Sequence, residues 1–172
     1  MTVLGARRKP QKKDDRAHYR LSPAERAKGT ALVKLAALML FTFPGSPTVY
    51  YGDEAGMEGF EDPFNRGGYP WGQEDAELKN WFTHLGCLRA SRAELQKGAI
   101  EYHLADGPLL CYERKLGGHR SVTAVNAGTR AATITIPWSG VIATDMLSGR
   151  TYTAKDGHIS VHLSARKGAL LV

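Results

Sequence analysis

The segment Gly45-Ser-Pro-Thr-Val-Tyr-Tyr-Gly-Asp-Glu-Ala-Gly-Met-Glu-Gly-Phe-Glu-Asp-Pro-Phe-Asn-Arg-Gly-Gly-Tyr-Pro-Trp71 falls into two parts by residue type. Thr48-Val49-Tyr50-Tyr51 is a short β-branched and aromatic run bounded by Pro47 and Gly52, the pattern of a buried strand. Residues 52–72 are rich in glycine, carry Pro63 and Pro70, and show no apolar period, so they form a long loop. Long loops inside compact domains are functional or disordered. Phe60, Phe64, Tyr69 and Trp71 argue against disorder, because disordered segments are poor in aromatics.

Working outward, Ser22, Pro23 and Glu25 form a capping box with proline at the first helical position, where a missing N–H costs nothing. A helix starts there and is stopped by Pro44 and Gly45. Its second half (Leu32, Val33, Leu35, Leu38, Met39, Leu40, Phe41) is apolar on nearly every side, which suits a helix packed between other elements. Beyond the loop, Leu78, Trp81, Phe82, Leu85 and Leu88 recur at helical spacing and predict a second helix from about 75 to 92. From Gly98 the period becomes that of strands, read at 99–105, 108–115, 120–126, 131–137, 141–146, 150–154, 158–163 and 167–172. Turn signals such as Asp106-Gly107, Gly117-Gly118, Ser148-Gly149 and Asp156-Gly157 separate them. Short strands at such regular spacing predict an antiparallel β-sandwich.

The expected fold class is therefore α/β plus all-β, with residues 1–96 forming one region (1–21 a basic loop) and 97–172 the sandwich. No internal repeat is visible. Helix, strand, loop and helix make one and a half βα units, and a single strand cannot make a sheet. The buried faces of the first region need partners that this sequence does not contain. Leu38, Phe41 and Val49 are then expected to expose apolar surface, which favours homodimers or association through those faces.

Composition excludes several classes. With 172 residues, 42% hydrophobic and 23% charged, the chain is an ordinary globular one, and no apolar run of about 18 residues could span a membrane. The net charge of +6 looks like a nucleic-acid signal until it is located: residues 1–20 hold seven Lys or Arg and two Asp, accounting for +5. A basic segment with Tyr19 as its one aromatic reads as a solvated loop, so no nucleic-acid partner is expected. Cys87 and Cys111 lack metal-type spacing and are read as reduced. With no secretory leader at Met1–Gly5, this points to the cytoplasm, although a fragment's first residues say nothing about a parent protein.

The segment from Gly45 to Trp71 resembles the region around the last barrel strand of the α-amylase family, glycoside hydrolase family 13. Within that family it is most similar to the neopullulanase, cyclomaltodextrinase and maltogenic amylase group. The resemblance implies the C-terminal part of a TIM (β/α)8 barrel, its last strand and flanking helices, followed by a β-sandwich domain, and it covers Ser22 to Val172. It also implies an α-glucan or maltooligosaccharide substrate and retaining hydrolysis of α-1,4 or α-1,6 bonds.

In a parallel barrel, binding groups sit beyond the C-terminal ends of strands, where the loop after Tyr51 would lie. Asp62 and Arg66 set an acceptor and a planar five-donor fork four residues apart, a pair able to fix a sugar by its hydroxyls. By resemblance, they hold the glucose two units to the non-reducing side of the cut; a salt bridge that closes the loop is the plainer alternative. Trp71 is the aromatic candidate for stacking on a sugar face. Asp53 and Glu54 are adjacent, whereas retaining glycosidases need carboxyls about 5 Å apart aimed at one bond. Neighbours leaving a strand point to opposite faces, so both are read as architectural.

The family's nucleophilic Asp, acid/base Glu and third Asp have no counterpart here, so no catalytic residue is assigned and the chain alone is expected to be inactive. No cofactor and no metal site is expected. His158 and His162 lie about 13 Å apart along a strand, too far for one ion. His18, His84, His103 and His119 read as surface or loop residues. The rival reading is a non-catalytic carbohydrate-binding or structural module built on the sandwich, against which stands the lack of a row of exposed aromatics.

Overall fold

A computed structural model describes all 172 residues. In chain order the elements are α1 (Thr2–Gly5), α2 (Lys13–His18), α3 (Pro23–Thr42), α4 (Ala76–Ser91), α5 (Ala93–Lys97), β1 (Ala99–Asp106), β2 (Leu109–Leu116), β3 (His119–Asn126), β4 (Ala132–Pro137), β5 (Ile142–Thr144), β6 (Thr151–Thr153), β7 (His158–Leu163) and β8 (Lys167–Leu171). No helix is long and apolar enough to cross a membrane. Contacts group the residues into two compact units: Met1–Ala37 with Pro47–Cys87, and Leu38–Ser46 with Leu88–Val172.

In the first unit, the capping box forms as its residues dictate. Ser22 N–H donates to Glu25 Oε2 at 3.0 Å and Glu25 N–H donates back to Ser22 Oγ at 3.4 Å. Glu25 Oε1 also accepts from Arg7 N–H at 2.6 Å and from the Tyr19 hydroxyl at 2.7 Å. The Arg7 bond, then those of Tyr19 and Ser22, hold the Glu25 carboxyl at about 2, below its ordinary 4.5. One side chain thus starts α3 and anchors the basic segment to it. That segment, expected as loop throughout, contains α1 and α2. Trp81 Nε1 donates to Lys34 O at 3.0 Å, Lys34 pairs with Glu77, and Leu78 and Leu85 are buried.

The strand expected at Thr48–Tyr51 does not form: residues 46–50 take no regular structure, a turn begins at Tyr51, and both tyrosines are exposed. A strand is held by a neighbour's N–H and C=O groups, and no strand of the chain pairs with this segment. The first unit is therefore helices and loop.

The second unit is antiparallel β with short helical pieces. All eight strands expected from the period are present, in a four-stranded sheet β1-β2-β3-β8 and two pairs, β4-β7 and β5-β6. In β4 and β7, Ile134, Ile136, Ile159, Val161 and Leu163 are buried and alternate with exposed Thr133, Thr135, His158, Ser160 and His162, the signature of a half-buried sheet. These apolar residues join Cys111, Val122, Ala124, Ala143, Ala169 and Leu171 in one core.

The other face of β2 and β3 is buried and polar. Arg114, 1% exposed, donates to Thr42 O at 2.8 Å and twice to Gly98 O, at 2.8 and 3.3 Å. Thr42 Oγ1 donates to Leu38 O at 2.7 Å and lies 2.6 Å from the Tyr112 hydroxyl. Arg89 donates to Phe41 O and Phe43 O, at 2.7 and 3.2 Å, and to Gly45 O. Two arginines therefore satisfy the last carbonyls of α3, which have no partner within the helix, and their charge suits that end of its dipole. Leu38, expected to be exposed, is fully buried, and Phe41 and Val49 are half-buried.

Candidate functional site

The loop after Tyr51 is shaped by glycines and by carboxylates that accept backbone N–H groups. Gly52 has φ +91°, and a Cβ there would sit 2.2 Å from Met57 Sδ; at Gly59 a Cβ would sit 2.4 Å from Phe64 O. At Gly59 a larger residue would have to move the backbone, and at Gly52 the left-handed φ itself favours glycine. Glu54 Oε2 accepts Gly52 N–H at 2.9 Å, and Tyr69 hydrogen-bonds the same side chain. Glu58 accepts from Leu21 N–H at 2.9 Å and from Arg26 at 2.7 Å, while Arg26 also reaches Asp75 at 3.3 Å. Asp75 in turn caps α4, its Oδ1 accepting Leu78 N–H at 3.1 Å. The loop is thereby tied to both long helices. Lys9 and Arg16 converge on Glu61, each at 2.6 Å, next to the candidate pair.

Asp62 and Arg66 come together. Arg66 Nε lies 2.5 Å from Asp62 Oδ1, and the side chains are 60% and 69% exposed. The Asp62–Pro63 peptide is cis. Trp71 is 81% exposed, with its ring against Tyr69 at a centroid distance of 4.5 Å. An exposed carboxylate beside a guanidinium, with an uncovered indole on the same loop, can exchange water for sugar hydroxyls at small desolvation cost.

A hollow of about 230 Å³ adjoins this loop, lined among others by Tyr50, Tyr51, Asp53, Met57 and Asn65. Asp62, Arg66 and Trp71 do not line it. Asp53, read as architectural beside Glu54, faces this space; burial raises its pKa, the nearby N-terminal ammonium lowers it, and Glu54 adds to the rise. Asn65 Oδ1 is buried without a hydrogen-bond partner, while the residue itself lines the hollow. No sequence signal assigned a role to Asn65, whose neighbours around the hollow come from separate parts of the loop. His103, read as surface or loop, is partly buried and bonded to Glu113 at 3.1 Å. Cys87 and Cys111 are both free thiols, and burial pushes Cys111 up to about 12.

No model of a known protein family matches the chain. Individual relatives do. An amylopullulanase of Thermoanaerobacter thermohydrosulfuricus is 35% identical over 156 residues, covering 81% of this chain and 10% of its own length. A cyclomaltodextrinase of Geobacillus thermopakistaniensis is 33% identical, covering 76% of this chain and 23% of its own. Among solved structures, an Anoxybacillus α-amylase superposes with a TM-score of 0.75 at 29% identity, over 81% of this chain and 31% of its own. This chain is related to the α-amylase family, glycoside hydrolase family 13. It spans between a tenth and a third of the lengths of these three relatives. The small, largely antiparallel β fold with few helices matches part of the amylase architecture.

Proposed function

We propose that this chain is the C-terminal part of a retaining α-glucan hydrolase, comprising the end of a (β/α)8 barrel (residues 1–96) and a β-sandwich (97–172). In this reading, the carboxylates that cleave the bond lie on barrel strands outside the sequence, and the chain alone is inactive. Asp62 and Arg66 hold a glucose unit of a maltooligosaccharide through paired hydrogen bonds, and Trp71 offers its exposed face to the chain of sugars. The setting is cytoplasmic, in line with two free thiols.

The observation that carries the reading is the Asp62–Arg66 pair at 2.5 Å, on the loop that resembles the family's last barrel strand region. An ion pair this exposed contributes only about 0–1 kcal/mol to stability, so opening it to take a ligand costs little. In water it is held ready for a ligand that both donates and accepts. The lack of strand pairing at residues 48–51 fits a segment whose barrel neighbours are elsewhere.

The test is Asp62→Ala in the protein that joins this chain to the proposed barrel strands. Activity on maltooligosaccharides should fall by roughly tenfold or more, the loss of one charge-assisted hydrogen bond. Unchanged kinetics would refute the assignment.

A further inference from the structure

A second hollow, of about 500 Å³, lies in the β unit at the end of β1, β2 and β3, within the range of roughly 300–1,000 Å³ for small-molecule sites. Along β2 and β3, the face that is apolar at Cys111, Val122 and Ala124 becomes polar at Glu113, Lys115 and Arg120. β1 bulges here: Tyr102 pairs with Tyr112 and Leu104 with Cys111, so His103 stands opposite no residue. Bulges re-aim side chains, and this one brings His103 Nε2 to 3.1 Å from Glu113 Oε2. Arg120 Nη2 donates to the same oxygen at 2.7 Å, while its guanidinium lies over the Trp138 ring at 4.4 Å.

Glu113 is therefore a carboxylate only 8% exposed and gripped on one oxygen. Its other oxygen, Oε1, accepts neither of these bonds, and Glu113 lines the hollow. Glu101 and Lys115, both exposed, line it too, as do Pro137, Trp138 and Ser139. This donor and acceptor set selects the ligand's charge. Charges of both signs alternate in this lining: an anion would meet Glu101 and Glu113, and a cation would meet Lys115 and Arg120. A neutral molecule with many hydroxyls can donate to Glu113 and Glu101 and accept from Lys115 together.

We propose that this hollow binds a sugar residue of an α-glucan, with Glu113 Oε1 as the fixed acceptor and Lys115 as a donor. The choice of an α-glucan rests on the function proposed above; the site uses neither Asp62 nor Arg66. It gives the β unit a hold on the polymer separate from the loop.

Amide chemical shifts of the full chain, titrated with millimolar maltotriose, test this. Saturable shifts are expected at residues 113–120 and 137–139, with affinity reduced about tenfold by Lys115→Ala. Glu113→Gln should weaken binding similarly; if that variant does not fold, Lys115→Ala and Glu101→Gln at exposed positions carry the test. Shifts confined to residues 50–71 would overturn this proposal and leave the loop assignment standing. No shift at 113–120, or shifts unaffected by Lys115→Ala, would overturn it as well.

Discussion

Replacing Arg114 with methionine probes how the end of α3 is joined to the β unit. The guanidinium is almost fully buried and carries three hydrogen bonds to two carbonyls, those of Thr42 and Gly98. No carboxylate pairs with it, and burial lowers its pKa. Methionine fills similar space but donates nothing, so both carbonyls lose a charged donor, at roughly 1.5–3 kcal/mol each. Relief of the buried charge offsets part of this, because desolvating a lone cation is itself costly. The net loss should be about 2–4 kcal/mol, and for a chain of this size the melting temperature should drop by roughly 5–15 °C. Urea unfolding followed by far-UV circular dichroism measures it. A change under about 1 kcal/mol would show that the carbonyls find other partners and that the polar underside of the sheet does not depend on Arg114.

Further expectations rest on single groups. Glu25 has a folded pKa of about 2, below its ordinary 4.5; its contribution is complete above 4.5 and lost as pH falls from there toward 2. Glu25→Gln should remove that part of the acid sensitivity, and an NMR titration of the Glu25 carboxyl should give a midpoint near the lowered value. Ellman's reagent should modify the exposed Cys87 in the native chain and reach buried Cys111 only in denaturant; equal, rapid reaction of both thiols would contradict the packing. Gly59→Ala should cost about 1–3 kcal/mol, because the new methyl meets the Phe64 carbonyl, and thermal melts should show it.

The two long helices and the eight strands could be read from the sequence because each carries its own signal. Ser22 and Glu25 mark a helix start through bonds within four residues, and the alternation of Ile134, Ile136, Ile159 and Val161 needs only one buried face. The strand at Thr48–Tyr51 failed for the opposite reason: its residue types suit a sheet, but the hydrogen bonds of a strand belong to its neighbours. α1, α2 and α5 have at most six residues each, too few for a period to appear. The polar underside of the sheet was hidden, since Arg114 and Tyr112 look like ordinary surface positions until α3's last turn covers them.

At the loop, Asp62 and Arg66 were legible because a four-residue spacing brings two long side chains within reach across a turn. Asn65 and Asp53 border a hollow whose walls come from separate parts of the loop, which no local spacing reveals. The same holds for Glu113 and His103: a bulge in one strand and an arginine from another create that site.

The central claim is that Asp62 and Arg66 hold a sugar. A crystal structure of the protein that joins this chain to the proposed barrel strands, soaked with maltotriose, tests it most directly. A glucose unit with hydroxyls within hydrogen-bond distance of both the Asp62 carboxylate and the Arg66 guanidinium is the expected result; an occupied cleft whose sugars leave the pair in contact only with each other and solvent would contradict it.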